Sequence, residues 1–145
     1  MPKALTEEDI AEIMTAASNQ GNAHILQLTS KKIETLKRNI LNELQVSPLS
    51  LFLKKLKQYR YVDNMNELKP GGFIRWIDIH DPTAELTLSG TAIFCDIRIT
   101  DRGVSVVYTN FFRKKKYEFL MEEAIIFQKL THQEEVLLYV MNKLH

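Results

Sequence analysis

The stretch KPGGFIRWIDI, Lys69 to Ile79, decides how the chain is read. Upstream of it, apolar residues recur with the period of a helix, about 3.6; from Asp63-Asn64 onward the period is two, that of strands. Gly71 and Gly72 precede a bulky apolar run, Phe73 to Ile79, expected to be the first strand after the helical part. No helix follows the glycines, so they do not form a phosphate loop; they are expected to allow a tight turn or a close backbone crossing. Alternation puts Phe73, Arg75, Ile77 and Ile79 on one face, and Ile74, Trp76 and Asp78 on the other. Neither face is wholly apolar, which suits a strand covered on one side by a sheet core and on the other by the helices. Arg75 is then a structural arginine, stacked on an aromatic ring or paired with a carboxylate such as Asp96, and Trp76 a structural neighbour.

The first 60 residues read as helical. Thr6 is an N-cap with Glu7, Glu8 and Asp9 in the first turn, and Asn19-Gln20-Gly21-Asn22 ends that helix. A longer helix is expected over Ala23 to Leu44. Leu26, Ile33, Leu36 and Ile40 fall on a seven-residue repeat there, a candidate interface, although Thr29 and Glu43 occupy two of its apolar slots. Ser47-Pro48 is expected to open a third helix, Leu49 to about Tyr59.

Beyond the first strand, Glu85 to Leu88 reads as a short strand. Thr91 to Thr100 alternates, with Ile93, Cys95, Ile97 and Ile99 expected on one face. Thr100-Asp101-Arg102-Gly103 is a hairpin turn and Val104 to Phe112 its return strand. Arg113 to Lys116 is expected to be the next turn or bulge, followed by strands at Tyr117 to Met121 and Ala124 to Lys129. Thr131-His132-Gln133-Glu134 is a capping box that starts a last helix.

Short antiparallel strands joined by tight turns predict an α+β chain. N-terminal helices occupy residues 1–60, a small antiparallel β-barrel 61–130, and a C-terminal helix packed on the barrel 131–145. The order of elements over Tyr61 to Leu130 resembles the SH3-like or Sm-like small barrel, a likeness of topology. The Sm family's RNA-binding signature is not matched, since the Arg102-Gly103 pair lies in an earlier hairpin than that signature requires, so RNA binding is not carried over. The stretches LKPGGFIRWIDI, LSGTAIF and AIIFQKL also resemble a group of small proteins of nucleocytoplasmic large DNA viruses, with a Gly-x-Ile-Arg-Trp strand and a late Ile-Phe strand. That resemblance implies a viral origin and a role as a virion or minor capsid-associated component.

Composition narrows the chemistry. Nineteen basic and 18 acidic residues give a net charge of +1, which supplies no global attraction to nucleic acid. No run approaches the roughly 18 apolar residues of a membrane-spanning helix, and no signal peptide is evident, so membrane insertion is not expected. The location implied is the cytoplasm of a host cell or an assembled virion. The single cysteine, Cys95, excludes an internal disulfide. His24, His80, His132 and His145 lack metal-pair spacing, and no nucleophile elbow or Walker loop occurs. No catalytic residue, metal or cofactor is expected.

One run stands out: Arg113, Lys114, Lys115 and Lys116, beside Phe111, Phe112, Tyr117 and Phe119. Cations interleaved with rings are what single-stranded nucleic acid binding uses, because charges follow phosphates and rings stack on bases. A solvated hairpin tip, or a surface for an acidic protein, is the competing reading. The function expected is a non-enzymatic structural or interaction module acting through a protein partner or a second copy of itself. The alternative is a nucleic-acid-binding module using Arg113 to Tyr117.

Overall fold

Thr6 accepts a hydrogen bond from the Asp9 backbone N–H, and the Asp9 carboxylate accepts one from the Thr6 N–H, closing a capping box that opens α1 (Glu7–Ser18). The computed structural model describes residues 6–144, with Arg113 described by its backbone alone; His145 lies outside the described residues. Asn19 ends α1, and a 3-10 helix follows at Gln20–Gln27.

The long helix expected from Ala23 is interrupted. Leu28 is extended, and Thr29 accepts from the Lys32 N–H as the N-cap of α2 (Ser30–Leu44). Leu26 therefore lies outside α2 and is exposed. The seven-residue stripe is not a single surface. Ile33 is buried with Ala16, Ile25, Leu137 and Leu138, whereas Ile40 packs on the sheet side and Leu36 faces solvent. The inward face of α2 carries Ile33, Lys37 and Leu41 instead. Lys37 is only 1% exposed, and its ammonium donates to the carbonyls of Leu56 and Tyr59 and to Glu34. Its stem crosses the apolar seam while its head closes backbone acceptors at the corner beyond α3 (Leu49–Lys55). Pro48, after a cis Ser47-Pro48 bond, is the N-cap of α3.

Strand β1 (Tyr59–Val62) occupies what reads as the end of that third helix. Then come β2 (Phe73–Asp78), β3 (Ala92–Thr100), β4 (Gly103–Asn110), β5 (Arg113–Leu120), β6 (Ala124–Lys129) and α4 (His132–Leu144). Glu85 to Leu88 is no strand; only an isolated bridge joins Leu88 to Ile77. Arg113 to Lys116 begins β5 rather than forming the turn. All ladders are antiparallel, in the order β1-β6-β2-β3-β4-β5. The last strand thus lies between the first two.

The α+β class holds, with an open six-stranded sheet whose edges are β1 and β5; closure into a small barrel is not confirmed. The sheet nevertheless curls. Strands β2 and β5 are three ladders apart, about 14 Å in a flat sheet, yet the Trp76 ring lies 4.7 Å from that of Phe119 and 4.6 Å from that of Tyr108. Inside the curl, Val62, Leu68, Ile74, Ala92, Phe94, Val106 and Ile126 are buried together. On the other face, Tyr59, Ile77 and Phe127 meet Leu41, Val46, Phe52 and Leu56 beneath α2 and α3. Strand β2 is covered on both sides, as its mixed faces predict, with Ile74 inside the curl and Ile77 under the helices. The C-terminal helix does not pack on a barrel: its Leu137 and Leu138 join Ala16, Ile25 and Ile33, so α4 lies against α1 and the 3-10 helix.

A bulge changes the expected face of β3. Phe94 pairs with Tyr108 and Asp96 with Val107, leaving Cys95 as the extra residue. An extra residue reverses the alternation beyond it. Ala92 and Phe94 point inward before the bulge and Ile97 after it, while Ile99 is 76% exposed.

The two glycines have different reasons. Gly71 sits at φ +85°, a left-handed conformation in which a side chain is strained. A Cβ on Gly72 would lie 2.5 Å from the Gln128 side-chain nitrogen and 3.2 Å from the Lys69 carbonyl oxygen. Gln128 is fully buried and bonded to Lys69, so it cannot swing away freely. Gly72→Ala should cost about 1–3 kcal/mol by overpacking, read as a lowered urea midpoint; an unchanged midpoint would contradict this packing.

Candidate functional site

The hairpin of β4 and β5 turns at Phe111 and Phe112. Phe112 is 98% exposed and Phe111 52% exposed, the latter with its ring 5.3 Å from that of Phe73. The ladder slips here: Thr109 pairs with Lys116 but Asn110 with Arg113, so Lys114 and Lys115 have no directly opposed residue. Lys114, Lys115 and Lys116 are exposed, and the Arg113 side chain lies outside the described residues. Lys115 Nζ is 5.6 Å from the Tyr117 ring centre, and Lys129 Nζ is 5.8 Å from that of Phe73. Tyr117 stacks on Tyr108 at 5.7 Å, and Tyr108 continues to Phe119 and Trp76. Burial pushes the Tyr108 hydroxyl above its ordinary pKa. The Asn110 side-chain oxygen is buried with no donor among the described residues. The structure thus brings Lys114, Lys115, Lys116 and Tyr117 together with Phe111 and Phe112. Phe73 and Lys129 join them from other strands, which sequence spacing does not reveal. Strand β5 is an open edge, and lysines on such an edge discourage pairing with another chain.

Arg75 does not meet Asp96 or an aromatic ring. Its Nε donates to the Ser89 carbonyl at 3.1 Å and its Nη1 to the Lys55 carbonyl at 3.2 Å, which ties the β2–β3 connection to the end of α3. Trp76 N–H donates to Ser89 Oγ beside it. Asp96 accepts from the Ile97 N–H, and Asp78 binds His80, so those two carboxylates have separate partners. The Asp78 carboxylate raises the His80 pKa by accepting its hydrogen bond, on an exposed turn.

A second cluster lies inside the molecule. Glu134, the capping-box residue of α4, is fully buried. One oxygen accepts from Arg60 Nε at 3.0 Å, His24 Nε2 at 3.0 Å and Lys69 Nζ at 3.1 Å; the other accepts from the Thr131 N–H at 2.9 Å. Gln128 holds Arg60 Nη2 and the Lys69 backbone, Arg60 Nη2 also reaches the Glu67 carbonyl, and Lys69 Nζ reaches Asn22 Oδ1. Burial by itself would raise the Glu134 carboxyl. The His24 hydrogen bond, the Arg60 guanidinium, the Thr131 N–H and the Lys69 ammonium outweigh it and hold the group at about 2. Burial lowers the Lys69 pKa, with Glu134 opposing.

A carboxylate held so low stays ionised at neutral pH and is badly matched to acid–base work there. Its lone pairs are already taken by its own chain. The centre is a clamp joining the 3-10 helix, β1, the segment before Gly71 and α4. Among the described residues no group of three or more His, Cys, Asp or Glu could hold a metal ion. Among them, too, no helix is long and apolar enough to cross a membrane.

Neither a protein family, nor a curated protein, nor a solved structure matches the chain. The viral expectation therefore rests on the Gly-Gly-Phe-Ile-Arg-Trp region and its companion stretches alone.

Proposed function

We propose that this chain is a non-enzymatic interaction module whose contact element is the β4–β5 hairpin. The observation that carries this reading is Phe112, 98% exposed at a turn and followed by three exposed lysines. A large ring held in water stabilises nothing in its own fold, and adjacent lysines raise the local concentration of an anionic partner. By contrast, buried Arg60 and half-buried His24 and Lys69 close on Glu134, and buried Lys37 on backbone carbonyls. A role in a virion, or as a minor capsid-associated component, is the biological setting that the sequence resemblance suggests for such a module.

The test is a panel of three anionic partners at low salt: a single-stranded oligonucleotide, an acidic peptide and vesicles containing anionic lipid. Wild type should bind at least one of them. Lys114→Ala/Lys115→Ala/Lys116→Ala should weaken that binding at least roughly tenfold at low salt while changing folding stability by no more than about 0.5 kcal/mol per site. Wild type that binds none of the three sinks this reading.

A further inference from the structure

Resting on that reading, we propose that the hairpin's ligand is single-stranded nucleic acid, with a base stacked on Phe112 and phosphates on the flanking lysines. Rings lie at the tip and cations to either side of them. Lys129 lies over Phe73, Phe73 touches Phe111, Phe112 follows, and Lys115 lies over Tyr117 on the other side. A single strand presents unstacked bases beside its phosphates, so one path over the tip sets a base on Phe112 and phosphates on the cations to either side. Phe112 is almost wholly exposed and so offers its ring to a base. Each such stack is worth about 1–3 kcal/mol and is tolerant of sequence.

The same features discriminate against other anionic partners. An acidic peptide needs the lysines but gives Phe112 nothing to do. A lipid surface would take Phe112, but Phe111 is turned back onto Phe73, leaving a single wedge. One inserted ring contributes only about 1.5–3 kcal/mol, too little for lasting attachment. Duplex DNA keeps its bases stacked on one another and out of reach of the ring. Single-stranded nucleic acid is the partner that uses both the charge and the exposed ring.

Fluorescence anisotropy with a labelled oligothymidylate of roughly fifteen nucleotides tests this on the full chain. Four phosphate contacts, from Lys114, Lys115, Lys116 and Lys129, predict a log–log salt slope near −3, or roughly fifty-fold weaker binding between 50 and 200 mM salt. Phe112→Ala should weaken binding roughly tenfold with the slope unchanged, and Phe112→Trp should restore it. Lys114→Ala/Lys115→Ala/Lys116→Ala should lower the slope to about −1. A duplex of the same length should bind at least roughly tenfold less tightly than the single strand. Equal binding of duplex and single strand, or Phe112→Ala binding like wild type, overturns the proposal. So does binding to the acidic peptide or the vesicles without the oligonucleotide, although the interaction-module reading then survives. Binding to none of the probes removes both.

Discussion

Glu134→Gln should lower the folding free energy by about 3–5 kcal/mol at neutral pH. The substitution keeps the volume of the side chain and removes its charge. Arg60 and Lys69 then sit beside Asn22 and Gln128 with no anion, and the new amide turns donor groups toward existing donors. Against a typical total of about 5–15 kcal/mol, that leaves a marginal fold, read by urea unfolding followed by circular dichroism. The exposed pair between His132 and Glu12, 2.7 Å apart, is the control: Glu12→Gln should cost roughly 0–1 kcal/mol. A loss below about 1 kcal/mol for Glu134→Gln would mean that the cations find water or other partners in the folded chain.

The same group sets an acid limit. Folding holds Glu134 at about 2 against its ordinary value of 4.5, so the unfolded chain takes up the proton first. Its stabilisation is complete above pH 4.5 and disappears as pH falls toward 2. At about 1.4 kcal/mol per unit, the loss over that interval is about 3 kcal/mol. Urea midpoints between pH 5 and pH 2 should fall more steeply for wild type than for Glu134→Gln; parallel curves would contradict this assignment.

Phe127→Ala should cost about 3–5 kcal/mol. Phe127 is fully buried on the interior strand β6, paired with Tyr61 and Arg75 and packed beneath Leu41, Phe52 and Leu56. Its neighbours belong to a sheet face on one side and to helices on the other, so the space left by the ring cannot close without moving both layers. Phe119, half-buried against Trp76 and Tyr108, should cost less when shortened, and exposed Phe112 no more than about 0.5 kcal/mol. Thermal or urea midpoints of the three Phe→Ala variants should follow that order. A Phe112 variant as damaging as Phe127→Ala would show that the hairpin tip serves the fold rather than a ligand.

Local signals carried much of this structure. The Thr6 cap, the Thr131 capping box, the start of β2, the Asp101-Arg102-Gly103 turn and the last helix depend on residues a few positions apart, and each is found where its residues place it. The misreadings share a different origin. Thr29 has the side chain of a cap but stands within an apolar repeat, so the period hid the break between the 3-10 helix and α2. Tyr59 continues the spacing of α3 and belongs to β1 only because β6, far along the chain, pairs with it. The bulge at Cys95 is a property of two strands in register, not of either one. The burial of Lys37 has no local signal, since its acceptors are carbonyls beyond the next helix.

For the site, the cations and rings of the hairpin were legible because they are consecutive. The contributions of Phe73 and Lys129 were not, because curling and strand order bring them there. The centre around Glu134 was invisible for the same reason: His24, Arg60 and Lys69 have nothing in common along the chain except the anion they share.

That shared anion also bears on how the molecule comes into being. A polypeptide made from its N-terminus presents His24, Arg60 and Lys69 well before residue 134 exists. Withdrawing a guanidinium from water without a counter-charge costs several kcal/mol, so until then the growing chain has every reason to keep Arg60 wet. Strand β6 and α4, which follow the other described elements along the chain, supply respectively the strand between β1 and β2 and the charge that lets the early cations be buried. The nascent chain therefore closes this centre only once residue 134 has been made, and the segments that carry His24, Arg60 and Lys69 wait for α4 before they can settle around it.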